Sequence, residues 1–265
     1  MLSDLIASLT AAVSSAHRAL GYLDEALDMR RRSRINRAAW QPHLDSTRAF
    51  VLAAAEKCPD RGCVVVLGSG LLLDLPLAEL SAMFERVVLS DVVCLPETRR
   101  RIRAFRNVAY RELDVTGLAE QLAVMRRQGR QQLPEPAPPS MHEEEDLVVS
   151  LNILSQLWVV PRAFAGQRSP LLDPGQVDEW CGRIVESHYA WLRSLPCPVC
   201  LIADHEAVKR DRSGVVISRS STVFGLGLPP TGRTWTWNIA PITQANPHAS
   251  KELTVGAWFF PGPSA

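Results

Sequence analysis

Gly68, Ser69 and Gly70 follow directly on the wholly apolar run Val64-Val65-Val66-Leu67, and this is the first place in the chain where residue types suggest chemistry. Glycines at the carboxyl end of an apolar strand let backbone approach a ligand closely. The helix they lead into offers its first, unpaired N–H groups. Asp91 stands 21 residues after Gly70, at the end of a second apolar run over 86–90. A carboxylate there is placed to accept two hydrogen bonds from a ribose diol. Nicotinamide and adenosyl cofactors both satisfy this pattern. A dinucleotide fingerprint wants a third glycine where the chain has Leu73, and a P-loop is excluded because no Gly-Lys-Ser/Thr follows.

The other candidates are isolated residues. His205, in Asp204-His205-Glu206 after the fifth apolar run, is the candidate general base, since imidazole titrates near neutrality. The competing reading is a solvated loop histidine. His188 and Tyr189 read as a structural pair on a helix. His43, beside Trp40 and Pro42, reads as a helix-start residue with a pocket-lining role as the alternative. Trp158, Trp180 and Trp191 read as core. Cys197-Pro198-Val199-Cys200 runs into Leu201-Ile202-Ala203, a buried strand rather than the helix that would lower a thiol pKa. With no second CxxC and no histidine pair at zinc spacing, the six cysteines read as reduced structural thiols, and no metal is expected.

Alternating strands and helices must position these groups. Short apolar strands over 63–67, 86–90, 108–113, 146–151 and 199–203 alternate with helical patterns to about Phe84 and over 96–106, 117–128 and 178–194. That is the signature of a parallel, doubly wound α/β sheet. Ahead of it, Leu5, Leu9, Ala12, Ala16, Leu20, Leu23 and Leu27 step by three or four, predicting one amphipathic helix. Pro42 is expected to interrupt any helix, with Asp45 or Ser46 capping another that runs to about Lys57. Residues 1–57 form an N-terminal helical lid or extension and 58–265 the α/β domain, one domain overall. The stretch 129–145, with Pro134, Pro136, Pro138 and Pro139, reads as a flexible loop. Trp235 and Trp237 alternate with polar residues over 233–239, and a further strand over 253–260 is expected to pair with this one antiparallel.

In this order, over about residues 63–260, the motifs resemble the class I S-adenosylmethionine-dependent methyltransferases. The resemblance implies a Rossmann-like, mostly parallel seven-stranded sheet with an antiparallel last strand, S-adenosylmethionine as cofactor, and methyl transfer as the reaction. By position it implies that Gly68, Ser69 and Gly70 pass under the methionine part, that Asp91 binds the ribose, and that Asp114 and Val115 lie near the adenine. Ser150, Asn152 and Gln156, with Ser155, would face the reacting methyl. Two positions depart from the family pattern. Val66 stands where the family often has an acid, and Leu72 where it has a third loop glycine. Displacement at an already activated sulfonium needs alignment and desolvation more than a dedicated base, so the acceptor is not legible in the motifs.

Composition narrows the partners. With 29 basic and 28 acidic residues the net charge is +1, which excludes a histone-like binder and an acidic disordered chain. Arginines 30, 31, 32, 34 and 37, and again 99, 100, 101, 103 and 106, cluster densely enough for several phosphate contacts. Solvated helix faces are the expected reading, which leaves an RNA methyltransferase secondary to a small-molecule enzyme. No apolar run approaches the roughly 20 residues of a membrane span, and Asp4 stands where an export leader wants a basic residue. The expectation is a cytoplasmic protein without a membrane partner. Two further alternatives are a non-catalytic scaffold on this fold, suggested by the incomplete glycine motif, and an NAD(P)-dependent oxidoreductase. The latter is suggested by the Gly70 to Asp91 spacing but lacks a Tyr-x-x-x-Lys pair.

Overall fold

Strand β1 (Cys63–Leu67) is buried at every position, which explains the absence of any polar residue in it. Its side chains alternate between two cores. Val64 and Val66 join a cluster with Val51 and Leu80, while Val65 and Leu67 join one with Val185 and Leu192. The computed structural model describes residues 2–128, 132–141, 145–167, 172–243 and 248–262.

Beside β1 lie β2 (Arg86–Asp91), β3 (Val108–Glu112), β4 (Leu147–Leu151), β5 (Val199–Asp211), β6 (Val216–Ser221), β7 (Arg233–Ala240) and β8 (Ala249–Phe260). The sheet order is β3-β2-β1-β4-β5-β8-β7, with β6 paired to β5 off this path. Pairings from β3 through β5 are parallel, whereas β8 runs antiparallel to β5 and β7 antiparallel to β8. The expected α/β sheet is therefore present with one strand more than the expected seven. Pairing order reverses at β1, which makes the β1/β4 crevice the topological switch point where ligands bind in such sheets.

The N-terminal helices depart from the expected single helix. The chain forms α1 (Leu2–Thr10), α2 (Ser15–Leu20), α3 (Tyr22–Ile35) and α4 (Arg37–Glu56). Ala12 leaves the helical path to exchange two backbone hydrogen bonds with Cys94, Ser14 caps α2, and Gly21 closes it in the left-handed region at φ 96°. Local backbone pairing thus overrides a continuous apolar stripe. Pro42 does not break the next helix either; it lies inside α4, whose Trp40, Leu44, Val51, Ala54 and Ala55 are buried against the sheet. The loss of one intrahelical hydrogen bond is outweighed by that packing. Helix α4 accordingly shares a core with the sheet, while Ala7, Leu23 and Leu27 cluster with Val93 and Leu95.

Helices α5 (Leu77–Met83) and α6 (Pro96–Ile102) contribute to the same core as α4, while α7 (Ala119–Gln128), α8 (Val159–Gln167) and α9 (Pro174–Ser194) build a cluster around Trp180. The proline-rich stretch is irregular, as expected, but its described part is docked rather than loose. Trp180 donates to the Pro134 carbonyl at 2.7 Å, and Arg183 pairs with Glu135. Residues 129–131 and 142–144 of that stretch lie outside the described residues. All six cysteines are buried and unbridged. No described helix is long and apolar enough to cross a membrane.

Candidate functional site

The glycine loop is held against the second strand. Gly68 and Ser69 both donate to the Ser90 carbonyl, and Gly70 N–H donates 2.8 Å to Asp91 Oδ2. Gly68 at φ 77° and Gly70 at φ 46° supply the left-handed turns. Leu72 also adopts this region, at φ 58°, although fully buried. The backbone thus keeps a left-handed turn where the family resemblance expects its third glycine, despite a local cost of about 1–2 kcal/mol. Asp91 Oδ1 accepts from Val92 N–H at 2.7 Å, and burial pushes its carboxyl above the usual range against the pull of these N–H donors. Thr98 ties α6 to the loop by donating to the Gly70 carbonyl at 3.1 Å.

Across the switch point, Asn152 sits just beyond β4 at φ 53°. Its backbone N–H reaches the Ile202 carbonyl, and its Nδ2 donates 2.7 Å to Asp74 Oδ2. Asn152 Oδ1 and the Ser69 hydroxyl are buried without a hydrogen-bond partner among the described residues. Gln156 donates to the Asn152 carbonyl at 2.9 Å. Asp74 escaped the sequence reading, though an acid closing Leu71-Leu72-Leu73 is a detectable anomaly. Its burial raises the carboxyl pKa, opposed chiefly by the Asn152 amide.

Asp114 and Val115 stand at the end of β3. The Asp114 carboxylate is engaged locally: Oδ1 accepts from Thr116 N–H and hydroxyl at 2.8 and 2.6 Å, and Oδ2 from Ala119 N–H at 2.9 Å, capping α7. His17 approaches the same group, with Nδ1 3.0 Å from Glu112 and Nε2 4.0 Å from Asp114.

Helices α3 and α4 close the opposite wall. Trp235 Nε1–H donates 3.0 Å to His43 Nδ1, and the His43 ring stacks on Trp237 with centroids 4.0 Å apart. Burial lowers the His43 pKa to about 3. Gly68, Ser69, Gly70, Asp91, Asp114, Val115, Asn152 and Gln156 all line one cavity of about 250 Å³, to which Tyr22, Met29, Trp40, His43 and Trp237 contribute the far wall. The N-terminal helices were expected as a lid, but most of the individual residues of that wall were not named in the sequence, because the helical stripe and the Trp strand, read as part of the closing antiparallel pair, are far apart in the chain.

Three expected site residues are elsewhere. Ser150 points to the other face of β4, with Val148, because strand side chains alternate; it is fully buried and lies 3.2 Å from His188 Nε2. His205 is not in a loop. Strand β5 continues to Asp211 because β6 and β8 pair with its second half, so His205 lies within the strand, edge-on to Trp258, outside the cavity. Ser155 donates 2.6 Å to Asp204 and likewise does not line it. A His205→Ala protein is expected to bind adenosyl ligands within twofold of the parent, measured by calorimetry. A tenfold loss would restore His205 to the site.

His188, buried on α9, has its pKa lowered to about 3 by desolvation. The unfolded chain binds this proton near pH 6.5, whereas the folded chain does so only near 3. Stability is therefore lost as pH falls through that window, with a contribution of about 1.4 kcal/mol per pH unit. Urea unfolding at pH 7.5 and 5.0 checks this: His188→Phe should show a shallower loss than the parent, and an equal loss would refute the assignment.

The cavity opens at the carboxyl ends of β1 to β4, and the sheet ends in the antiparallel pair β8 and β7 beside β5. The fold is a Rossmann-like, doubly wound α/β sheet, mostly parallel, that ends in an antiparallel pair. No protein-family model and no curated protein matches the chain. Solved structures similar to it include the Burkholderia thailandensis 1,6-didemethyltoxoflavin-N1-methyltransferase with bound 1,6-didemethyltoxoflavin and S-adenosylhomocysteine, 12% identical over 93% of this chain and 91% of that one, at a TM-score of 0.43. A DhpI–SAH complex is 15% identical over 90% and 96%, at 0.36. The N-methyltransferase NodS from Bradyrhizobium japonicum WM9 with S-adenosyl-L-homocysteine is 12% identical over 79% and 85%, also at 0.36. Among the described residues no group of three His, Cys, Asp or Glu side chains is placed to hold a metal ion.

Proposed function

We propose that this protein transfers a methyl group from S-adenosylmethionine to a small-molecule acceptor by in-line displacement. The observation that carries this reading is the pairing of a left-handed glycine loop with buried polar atoms, Ser69 Oγ and Asn152 Oδ1, that have no partner among the described residues, beside the Asp91 carboxylate at one switch-point cavity. Such atoms cost free energy until a ligand or water pairs with them. When bound, the cofactor supplies a methyl on a sulfonium leaving group. The residues present fit it: Gly68, Ser69 and Gly70 cradle its methionine part, Asp91 receives the ribose hydroxyls, and Val115 and Asp114 bound the adenine side. Asn152 and Gln156 orient the reacting end.

With His205 outside the cavity, alignment and exclusion of water by α3 and α4 are left to promote the reaction. Calorimetric titration with S-adenosylmethionine and S-adenosylhomocysteine, with NADH as control, tests the cofactor class. Micromolar binding of the first two supports it. A folded protein that binds neither overturns it, and tight NADH binding would turn the reading toward hydride transfer. Product formation in an acceptor screen then separates an enzyme from a silent scaffold.

A further inference from the structure

Among the described residues the cavity is lined by the carboxylates Glu25, Asp74, Asp91 and Asp114 and by no lysine or arginine. Asp91 and Asp114 are supplied with backbone donors, the former by Gly70, Val92 and Val93 and the latter by Thr116 and Ala119. Asp74 is not. It is partly exposed on the cavity wall, and the one donor it receives from another residue is Asn152 Nδ2, at Oδ2; its Oδ1 is neither sealed nor bonded to a neighbour. Arg48 acts on it electrostatically but spends its hydrogen bonds on the Leu73 carbonyl and on Asp45. A carboxylate so placed keeps an unanswered charge and spare acceptor capacity. Asn152, which is 5% exposed and lines the same cavity, shares the shortage: with Nδ2 turned to Asp74, its Oδ1 has no donor among the described residues. Two adjacent acceptors short of donors call for a ligand group that only donates.

The place of Asp74 along the sheet edge says which group that is. The strand order β3-β2-β1-β4 sets Asp114, Asp91, the glycine loop and Asn152 in a row along the carboxyl edge. A cofactor with its adenine at the end of β3 and its ribose at the end of β2 therefore brings its amino-acid part to the β1/β4 boundary, where Asp74 is tied to Asn152. Val66, at the position where the family resemblance often has an acid, is fully buried in the apolar cluster of β1 and supplies no charge there. We propose that Asp74 is the residue that binds the α-ammonium of the cofactor's methionine part, in place of the carboxylate that Val66 cannot provide. This rests on the cofactor reading above. An ammonium is compact, carries three donors and has no acceptor, so it answers the free Asp74 oxygen and neutralises a charge that no side chain of the cavity pairs. The assignment also gives Asp74 a reason to stand at the end of Leu71-Leu72-Leu73, where packing alone would favour another apolar residue.

The test is calorimetric titration of the full-length protein with S-adenosylhomocysteine, with its desamino analogue, which has hydrogen in place of the α-amino group, and with 5′-methylthioadenosine, which lacks the amino-acid end. The parent protein should bind S-adenosylhomocysteine at least tenfold more tightly than the desamino analogue, the increment of one charge-assisted hydrogen bond. Asp74→Asn, which keeps an oxygen for the Asn152 amide, should bring that ratio toward one. Its affinity for 5′-methylthioadenosine should stay within twofold of the parent's, which also shows that the variant folds. Glu25→Gln should leave the ratio intact. A ratio that survives Asp74→Asn overturns the assignment and leaves Asp74 as the anchor of Asn152, and a ratio lost in Glu25→Gln instead moves the ammonium to α3. A ratio near one in the parent, which needs no variant, overturns it as well. Each of these outcomes leaves the cofactor reading standing, whereas a folded parent that binds neither S-adenosylhomocysteine nor 5′-methylthioadenosine overturns that reading and the assignment together.

Discussion

Gly68→Ala is expected to cost on the order of 2–5 kcal/mol of stability and to abolish adenosyl-ligand binding at micromolar concentrations. Two physical terms add. A Cβ at this position would lie 1.9 Å from Ile153 Cγ2 and 3.0 Å from the Leu151 carbonyl oxygen, and the backbone stands at φ 77°. Neither neighbour yields easily, since Leu151 is part of β4 and Ile153 follows the left-handed Asn152. The terms can be separated. Ile153→Ala in the same background removes Cγ2 and should recover the larger part of the steric loss, leaving the backbone penalty of about 1–2 kcal/mol. Chemical denaturation gives the stabilities and calorimetry the affinities. A Gly68→Ala protein with parental stability and affinity would show that the loop neither approaches β4 as described nor touches the ligand.

The loop and strands were legible because their signals are local. A five-residue, β-branched apolar run that stops at a glycine reads as a strand buried on both faces, and Gly68, Gly70 and Asp91 then lie at or just past strand ends. Leu72 shows the limit of residue type alone: the left-handed conformation persists without the glycine that would have announced it. His205 was misplaced for a different reason. Nothing local in Asp204-His205-Glu206 reveals that β6 and β8 extend β5 by eight residues beyond Ala203, since that extension depends on partners elsewhere in the chain. Ser150 was a matter of parity, one residue from a strand end and on the wrong face. The aromatic wall is the least local feature of all. His43 and Trp235 are 192 residues apart, and only the packing of α4 on β7 brings them together. That same packing keeps Pro42 inside a helix it would break in isolation.

Asp91→Asn is expected to weaken S-adenosylhomocysteine binding by roughly 10- to 150-fold, the value of about 1.5–3 kcal/mol assigned to charge-assisted hydrogen bonds. Asp91 has a structural duty too, because its oxygens accept from Gly70, Val92 and Val93 N–H. An amide in its place can accept through one oxygen only and turns its own N–H₂ toward a backbone donor. Some loss of stability will therefore accompany the loss of affinity, and affinity for the whole cofactor cannot by itself assign the ribose contact. The ligand can. The parent protein should bind adenosine at least tenfold more tightly than 2′,3′-dideoxyadenosine, since only the former presents a diol to the carboxylate. In Asp91→Asn that ratio should fall toward one, with dideoxyadenosine affinity little changed. A ratio that survives the substitution would place the diol on another group and leave Asp91 as the anchor of the glycine loop. A ratio near one already in the parent would move the ribose away from the end of β2 altogether.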